Sequence, residues 1–282
     1  MRATCAVVVL AVLSLGRSAV AQPSVAEPPA RRGVLVELYT SQGCNMCPEA
    51  EAILGRLAKA HPEVVPIAFH VDYFDKPWKD RFSDPLHSRR QAVYNEVYDK
   101  PRPADYGLYY TPMLMIDGEQ SVNGRDRASA DAAIRRAAKK KPAATVDARL
   151  ALKGDGRSGK VSIAVSSASA RVLGRELLVC AVLREDGLVT EVERGENAGK
   201  SLVASHPARL TRFGFVTLKA GEKASLDLDL ELPSDADPAR TRLAVFVQDK
   251  TTAVVNQAVD LPWGRPPSPA QPDGPVARRL VD

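Results

Sequence analysis

The sequence predicts an α/β half followed by an all-β half, with an export signal in front. Three observations carry that division. Between residues 33 and 141, strand-like runs alternate with runs of helical period. Beyond Lys139-Lys140-Lys141-Pro142-Ala143-Ala144 only short β-type runs occur. The chain opens on one arginine, an apolar run over residues 5–15, and small residues ending Ala19-Val20-Ala21. That opening has the three-part pattern of a secretory signal peptide, with cleavage expected after Ala21, and its apolar run is too short to span a bilayer of ~30 Å.

Each element follows in order. Residues 22–32 are Pro-rich and unpatterned, as in a flexible leader. Residues 34–39 read as a strand. The helix after it places Ala50, Ile53, Leu54, Leu57 and Ala58 at the i, i+3, i+4, i+7, i+8 spacing of one apolar face. A strand over 64–71, a helix over 86–98, a strand over 113–116 with an Asp117-Gly118 turn, and a closing helix over 129–140 complete the first domain, 33–141. Alternation of this kind argues for a sheet with parallel pairing. The second domain, 142–262, has eight short β-type runs separated by turn residues, and residues 226–232 alternate strictly between Leu and acid. That is the signature of a β-sandwich. Residues 263–282 read as a disordered tail.

Composition narrows the function. The 282 residues carry a net charge of +5, and losing Arg2 and Arg17 with the export signal brings this to +3. The cations are scattered, with Lys139–Lys141 the one basic run, so a nucleic-acid surface is not expected. No membrane span is expected in the mature chain, and no cofactor is implied. Of the four cysteines, Cys5 lies in the export signal, leaving Cys44, Cys47 and Cys180 for an oxidising compartment.

The chemistry concentrates in Cys44-Asn45-Met46-Cys47-Pro48, between a strand and a helix start. Two residues between cysteines let the sulfurs close a small ring. The helix's unpaired N–H groups favour a thiolate at the first of them. Cys44 is the expected attacker in disulfide exchange and Cys47 the resolver. Glu49 and Glu51, near the same helix start, compete for the dipole and would raise the thiol pKa. A structural disulfide is one alternative. Half of a metal site is another, although no second ligand pair at metal spacing follows. Further on, Tyr110-Thr111-Pro112 directly precedes a strand, where proline is tolerated at the first position.

A CxxC after a strand with a later Thr-Pro before another strand resembles the thioredoxin fold. That resemblance implies a cis Pro112 against the dithiol, with Thr111 offering backbone hydrogen bonds to a bound chain. The fold class expected is therefore an α/β thioredoxin-like domain followed by an all-β sandwich-like domain. The sequence also resembles a secreted bacterial thioredoxin-like family, domain of unknown function 1223. The residues that carry this are Val36–Cys44 with Cys47-Pro48, His70-Val71-Asp72-Tyr73, Thr111-Pro112 and Arg194–Gly199. The likeness covers residues 33–260. It departs at Glu49, Phe74 and residues 102–109.

Four further features have competing readings. Glu37 is an acid in an apolar strand, seven residues before Cys44, where thioredoxins carry a proton-handling acid at an offset of six. A one-residue slip on a strand reverses the face, so proton transfer and a structural carboxylate both stand. His70, Asp72 and Asp75, with His87 and Met46, allow a copper-carrier reading beside a local hydrogen-bonding one. Cys180 sits in a run apolar on both faces, as a buried free cysteine does. Residues 195–201 look like a phosphate loop but lack its spacing and following helix, which leaves an ordered turn that contacts the first half. The function expected is an exported thiol–disulfide oxidoreductase with a protein or small-thiol redox partner. The alternatives are a non-catalytic binding module with a structural disulfide and a metal carrier.

Overall fold

Three four-stranded sheets and a layer of helices stack face to face in the computed structural model, which describes residues 24–25, 32–98 and 108–264. The expected export signal lies outside these residues, as do most of the leader and all of the tail beyond Gly264. No helix among the described residues is long and apolar enough to cross a membrane.

The chain runs β1 (Ser24–Val25), β2 (Val34–Thr40), α1 (Cys47–Ala60), β3 (Val64–His70), α2 (Pro85–Val97), β4 (Met113–Ile116), β5 (Gln120–Asn123) and α3 (Arg127–Ala138). It continues with β6 (Ala144–Leu152), β7 (Ser158–Ser167), β8 (Glu176–Glu185), β9 (Leu188–Glu191), β10 (Ser201–Ala204), β11 (Ala208–Thr217), β12 (Lys223–Glu231), β13 (Thr241–Asp249) and β14 (Val255–Pro262). The first sheet has the order β3-β2-β4-β5, with β2 and β3 parallel and the other neighbours antiparallel. A central sheet has the order β11-β8-β13-β14, an outer sheet β1-β6-β7-β12, and β9 and β10 pair as a separate ribbon.

This architecture corrects the expected fold class. An α/β domain has helices on both faces of its sheet; among the described residues strands outweigh helices, 44% against 20%, and the fold is β-rich. The alternation of side chains along each strand shows why. On β2, Val34, Val36 and Leu38 face α1 and α3, joining Ile53, Leu54, Leu57 and Ile134. Leu35 and Tyr39 point the other way, onto Cys180, Val182, Ala244 and Phe246 of the central sheet. On β8 the neighbours Val179, Ala181 and Leu183 then face the outer sheet, packing on Val161, Ile163 and Val165. Strand β8 is thus apolar on both faces because it has a sheet on each side. Cys180, inside the first interface, is a buried free cysteine whose pKa burial pushes up to about 12.

The sheets approach closely enough to exclude side chains at two glycines. A Cβ on Gly33 would stand 2.0 Å from the Ala258 carbonyl oxygen, and one on Gly118, at φ +65°, 1.9 Å from that of Ala253. Arg32, at the end of the expected leader, is buried against Asp117 at 2.5 Å and donates to the Val255 and Ala137 carbonyls. Trp263, placed in the tail by the sequence, is fully buried and donates to the Gly156 carbonyl at 3.0 Å.

Candidate active site

The dithiol occupies the turn from β2 into α1. Pro48 stands in the first turn of α1, where its missing N–H is not needed, and Met46 at the N-cap contributes no side-chain cap. The first N–H groups of the helix are therefore open to another acceptor. The Cys44 sulfur faces these donors: the Cys47 thiol donates to it, with smaller help from the Met46 and Cys47 N–H groups, the latter also donating to the Cys44 carbonyl at 3.2 Å. Thr111, preceding the cis peptide to Pro112, faces the same sulfur; its hydroxyl finds no oxygen or nitrogen partner. The Cys47 thiol is the largest influence, and with these donors it outweighs burial to lower the Cys44 pKa to about 6. Cys47 lies deeper. Burial and the neighbouring Cys44 push its pKa well above the ordinary thiol value, against weaker opposing hydrogen bonds from Thr40 and the Ser41 backbone. The two thiols thus differ in depth and in the direction of their pKa shifts.

The acids near the helix start do not set the Cys44 pKa, which is lowered rather than raised as expected, and neither is among the groups that shift it. Glu49 is turned outward and pairs with Arg125 at 2.5 Å, where water screens it. Glu51, one helical turn beyond Cys47, is 3% exposed. Its Oε1 accepts from Thr40 Oγ1 at 3.2 Å and its Oε2 from the Ser205 N–H at 3.1 Å. Behind it, His70 Nε2 stands 3.8 Å away and His70 Nδ1 lies 2.6 Å from Asp80 Oδ2. Asp80 also accepts from the Gln42 N–H at 2.7 Å. Burial raises the Glu51 pKa. Burial also pulls His70 down, but the Asp80 and Glu51 carboxylates reverse this and raise it.

Glu37 is not brought to the dithiol. It points to the opposite face of the sheet, where Arg90 donates at 2.6 Å and Tyr94 and Tyr39 donate their hydroxyls at 2.5 and 3.2 Å. The residues of the copper-carrier reading are also spread out: His70 is held by Asp80, Asp72 accepts from Ser88, Asp75 accepts from Ser83, and Met46 is exposed. His87 is buried with its Nδ1 on the His70 carbonyl. Among the described residues no group of three or more His, Cys, Asp or Glu could hold a metal ion.

The turn expected over residues 195–201 does contact the first half, at the dithiol loop itself. Asn197, between β9 and β10, is fully buried and donates its amide to the carbonyls of Gln42 and Cys44 at 2.8 and 2.9 Å. Lys200 holds Asn197 Oδ1 at 2.9 Å, and Glu196 accepts from the Asn45 N–H at 2.8 Å. The turn read at residues 195–201 is thus a clamp on the dithiol loop. Its signal was present in the Arg194–Gly199 match, which carried no chemistry of its own. Beside the dithiol a cleft of about 720 Å³ opens, bounded by Met46, Tyr110, Thr111, Pro112, Asn123 and Arg125. On the far side Gly124 leaves the room Pro112 needs, since a Cβ there would meet Pro112 at 2.8 Å and Ala50 at 3.0 Å.

A family model described as a protein of unknown function, DUF1223, matches residues 35–248, which includes the dithiol, the Thr111-Pro112 pair and the clamp. The chain belongs to this family. An X-ray structure of a protein from Agrobacterium tumefaciens is similar at 22% identity and a TM-score of 0.58, covering 82% of this chain and 95% of that one. HBP35 of Porphyromonas gingivalis is similar at 12% identity and a TM-score of 0.63, covering 89% of this chain and 82% of that one. At these identities the likeness concerns the fold alone. No curated protein matches the chain.

Proposed function

We propose that this DUF1223 protein is an exported thiol–disulfide oxidoreductase that exchanges disulfides with a protein or small-thiol partner through Cys44. The observation that supports this most directly is the hydrogen-bonded thiol pair at an uncapped helix start, with the Cys44 pKa lowered to about 6 and that of Cys47 raised. A thiol with such a pKa is thiolate at neutral pH, and the thiolate is the attacking species. A resolver that stays protonated does not compete for the first attack. Thr111 faces the attacking sulfur, and the neighbouring cleft gives a partner chain room to lie against Met46 and Tyr110. Export rests on the opening residues 1–21, whose pattern is that of a cleaved signal.

Trapping tests this reading. The Cys47→Ser chain, incubated with a protein or small-molecule disulfide, is expected to accumulate a mixed disulfide on Cys44, seen as a mass increase that reductant reverses. No adduct in that variant, together with a Cys44–Cys47 potential below about −300 mV, the range of inert structural disulfides, would overturn it.

A further inference from the structure

Resolution requires more of this site than attack does. Cys47 is buried with its pKa raised, so its proton needs an acceptor inside the protein. Thr40 makes a hydrogen bond to Cys47, and the same Thr40 hydroxyl lies 3.2 Å from Glu51 Oε1. Glu51 is a carboxylate carried by a helix on its buried face, and burying an unpaired charge is costly. It has no full ion-pair partner at contact distance: Thr40, the Ser205 N–H and an imidazole at 3.8 Å surround it. His70 Nε2 itself has no hydrogen-bond partner, although the ring is wholly buried and anchored at Nδ1 by Asp80. The groups facing Glu51 are Cys47 on its own helix, Thr40 on β2, His70 on β3, Asp80 in the loop before α2, and Ser205 after β10.

We infer that Thr40, Glu51, His70 and Asp80 form a buried proton relay that serves the resolving thiol Cys47. This rests on the exchange reaction proposed above and assigns its second half. The Cys44 thiolate attacks a disulfide R–S–S–R, forming Cys44–S–R and expelling one RS⁻. The Cys47 sulfur then attacks the Cys44 sulfur as its proton passes through the Thr40 hydroxyl to the Glu51 carboxylate. The Cys44–Cys47 bond forms, the S–S bond between Cys44 and the RS group breaks, and the second RS⁻ leaves to be protonated from solvent. One dithiol has been oxidised and one disulfide reduced. His70 and Asp80 are positioning residues: Asp80 fixes the imidazole, and the imidazole offsets the Glu51 charge before the proton arrives. In the reverse direction Glu51 returns the proton to Cys47.

A limiting amount of dipyridyl disulfide separates the two halves, because each expelled pyridinethione absorbs. The reduced full-length chain, in excess, is expected to release one equivalent as Cys44 attacks and a second as Cys47 resolves. In Glu51→Gln the first release keeps its rate, while the second slows by roughly 100-fold, the ordinary contribution of a positioned acid–base group. What remains of the second release should rise with pH until Cys47 itself ionises, and more steeply than in wild type, where Glu51 takes the proton; a merely structural role would leave the two pH profiles parallel. Thr40→Val, which leaves Glu51 in place, is expected to slow the second release alike, and Thr40→Ser to restore it. A second release at the wild-type rate in either folded variant overturns the relay, as does an equal slowing of both releases. If wild type and Cys44→Ser show the same first release, exchange at Cys44 fails and the relay falls with it. That result is distinct from the others because the mixed disulfide then forms at a thiol other than Cys44.

Discussion

Glu37 and Glu51 are both carboxylates sealed from water on opposite faces of one sheet, and their surroundings could hardly differ more. Glu37 receives a guanidinium and two phenols, all within 3.2 Å, and Arg90 in turn lies over the rings of Phe69, Tyr94 and Phe246. Glu51 receives a hydroxyl, a backbone amide and a more distant imidazole. Glu37 is thus tied to a fixed guanidinium at contact distance, whereas Glu51 has two neutral donors at contact and its imidazole 3.8 Å away, and burial raises its pKa. Burial alone therefore does not mark a working acid. The partner set does, and it assigns Glu37 to the joint between two sheets and Glu51 to the dithiol.

The largest expected effect breaks the Glu37 side. Arg90→Met leaves a buried carboxylate without its cation and should cost about 3–5 kcal/mol, read as a lowered midpoint in urea. Exchange by the chain that remains folded should keep its wild-type rate. Loss of exchange at unchanged stability would erase the distinction between the two acids. A smaller effect tests the clamp. Asn197→Ala leaves the Gln42 carbonyl without a donor and the Cys44 carbonyl with the Cys47 N–H alone, at about 1–3 kcal/mol if the Gln42 carbonyl stays buried. Here stability and Cys44 reactivity should fall together, because the loop that presents the sulfur loosens; a stable variant with unaltered alkylation would remove the clamp from the site.

The smallest effect sharpens the dithiol side. Cys44 in the reduced protein should alkylate with a half-point near pH 6. Its folded pKa lies below that of a free thiol, so the thiolate stabilises the folded state above the free-thiol pKa, and that stability is lost as pH falls through about 6. Thr111→Val removes one donor from the thiolate and should move the alkylation half-point up by about half a unit to one unit. An unmoved half-point would deny the Thr111 hydroxyl any part in lowering the pKa.

Local chemistry was legible in the sequence, and the layer arrangement was not. The CxxC spacing, Pro48 and the apolar face of α1 each state a short-range requirement, and the structure meets it within a turn or two. Which face Glu37 takes depends on whether the loop before Cys44 absorbs one extra residue, and strand parity alone leaves that open. Glu51 looks like any surface acid of an amphipathic helix, because the His70 and Asp80 behind it come from elements that the sequence does not pair with α1. The α/β expectation failed for a related reason. The residues that cover the second face of the β3-β2-β4-β5 sheet are Cys180, Val182, Ala244 and Phe246, which in sequence read only as the apolar side of other strands.

The bonds from Asn197 to the dithiol loop join residues 153 and 155 positions apart. Contacts of such range form late, because a long loop must close before any reward is felt. On a chain made from its N-terminus, Cys44 and Cys47 exist well before the segment that fixes their turn. The timing of synthesis thus separates the presence of the two thiols from the completion of their site. An unfinished chain carries the cysteines without the clamp that fixes the loop between them and β2.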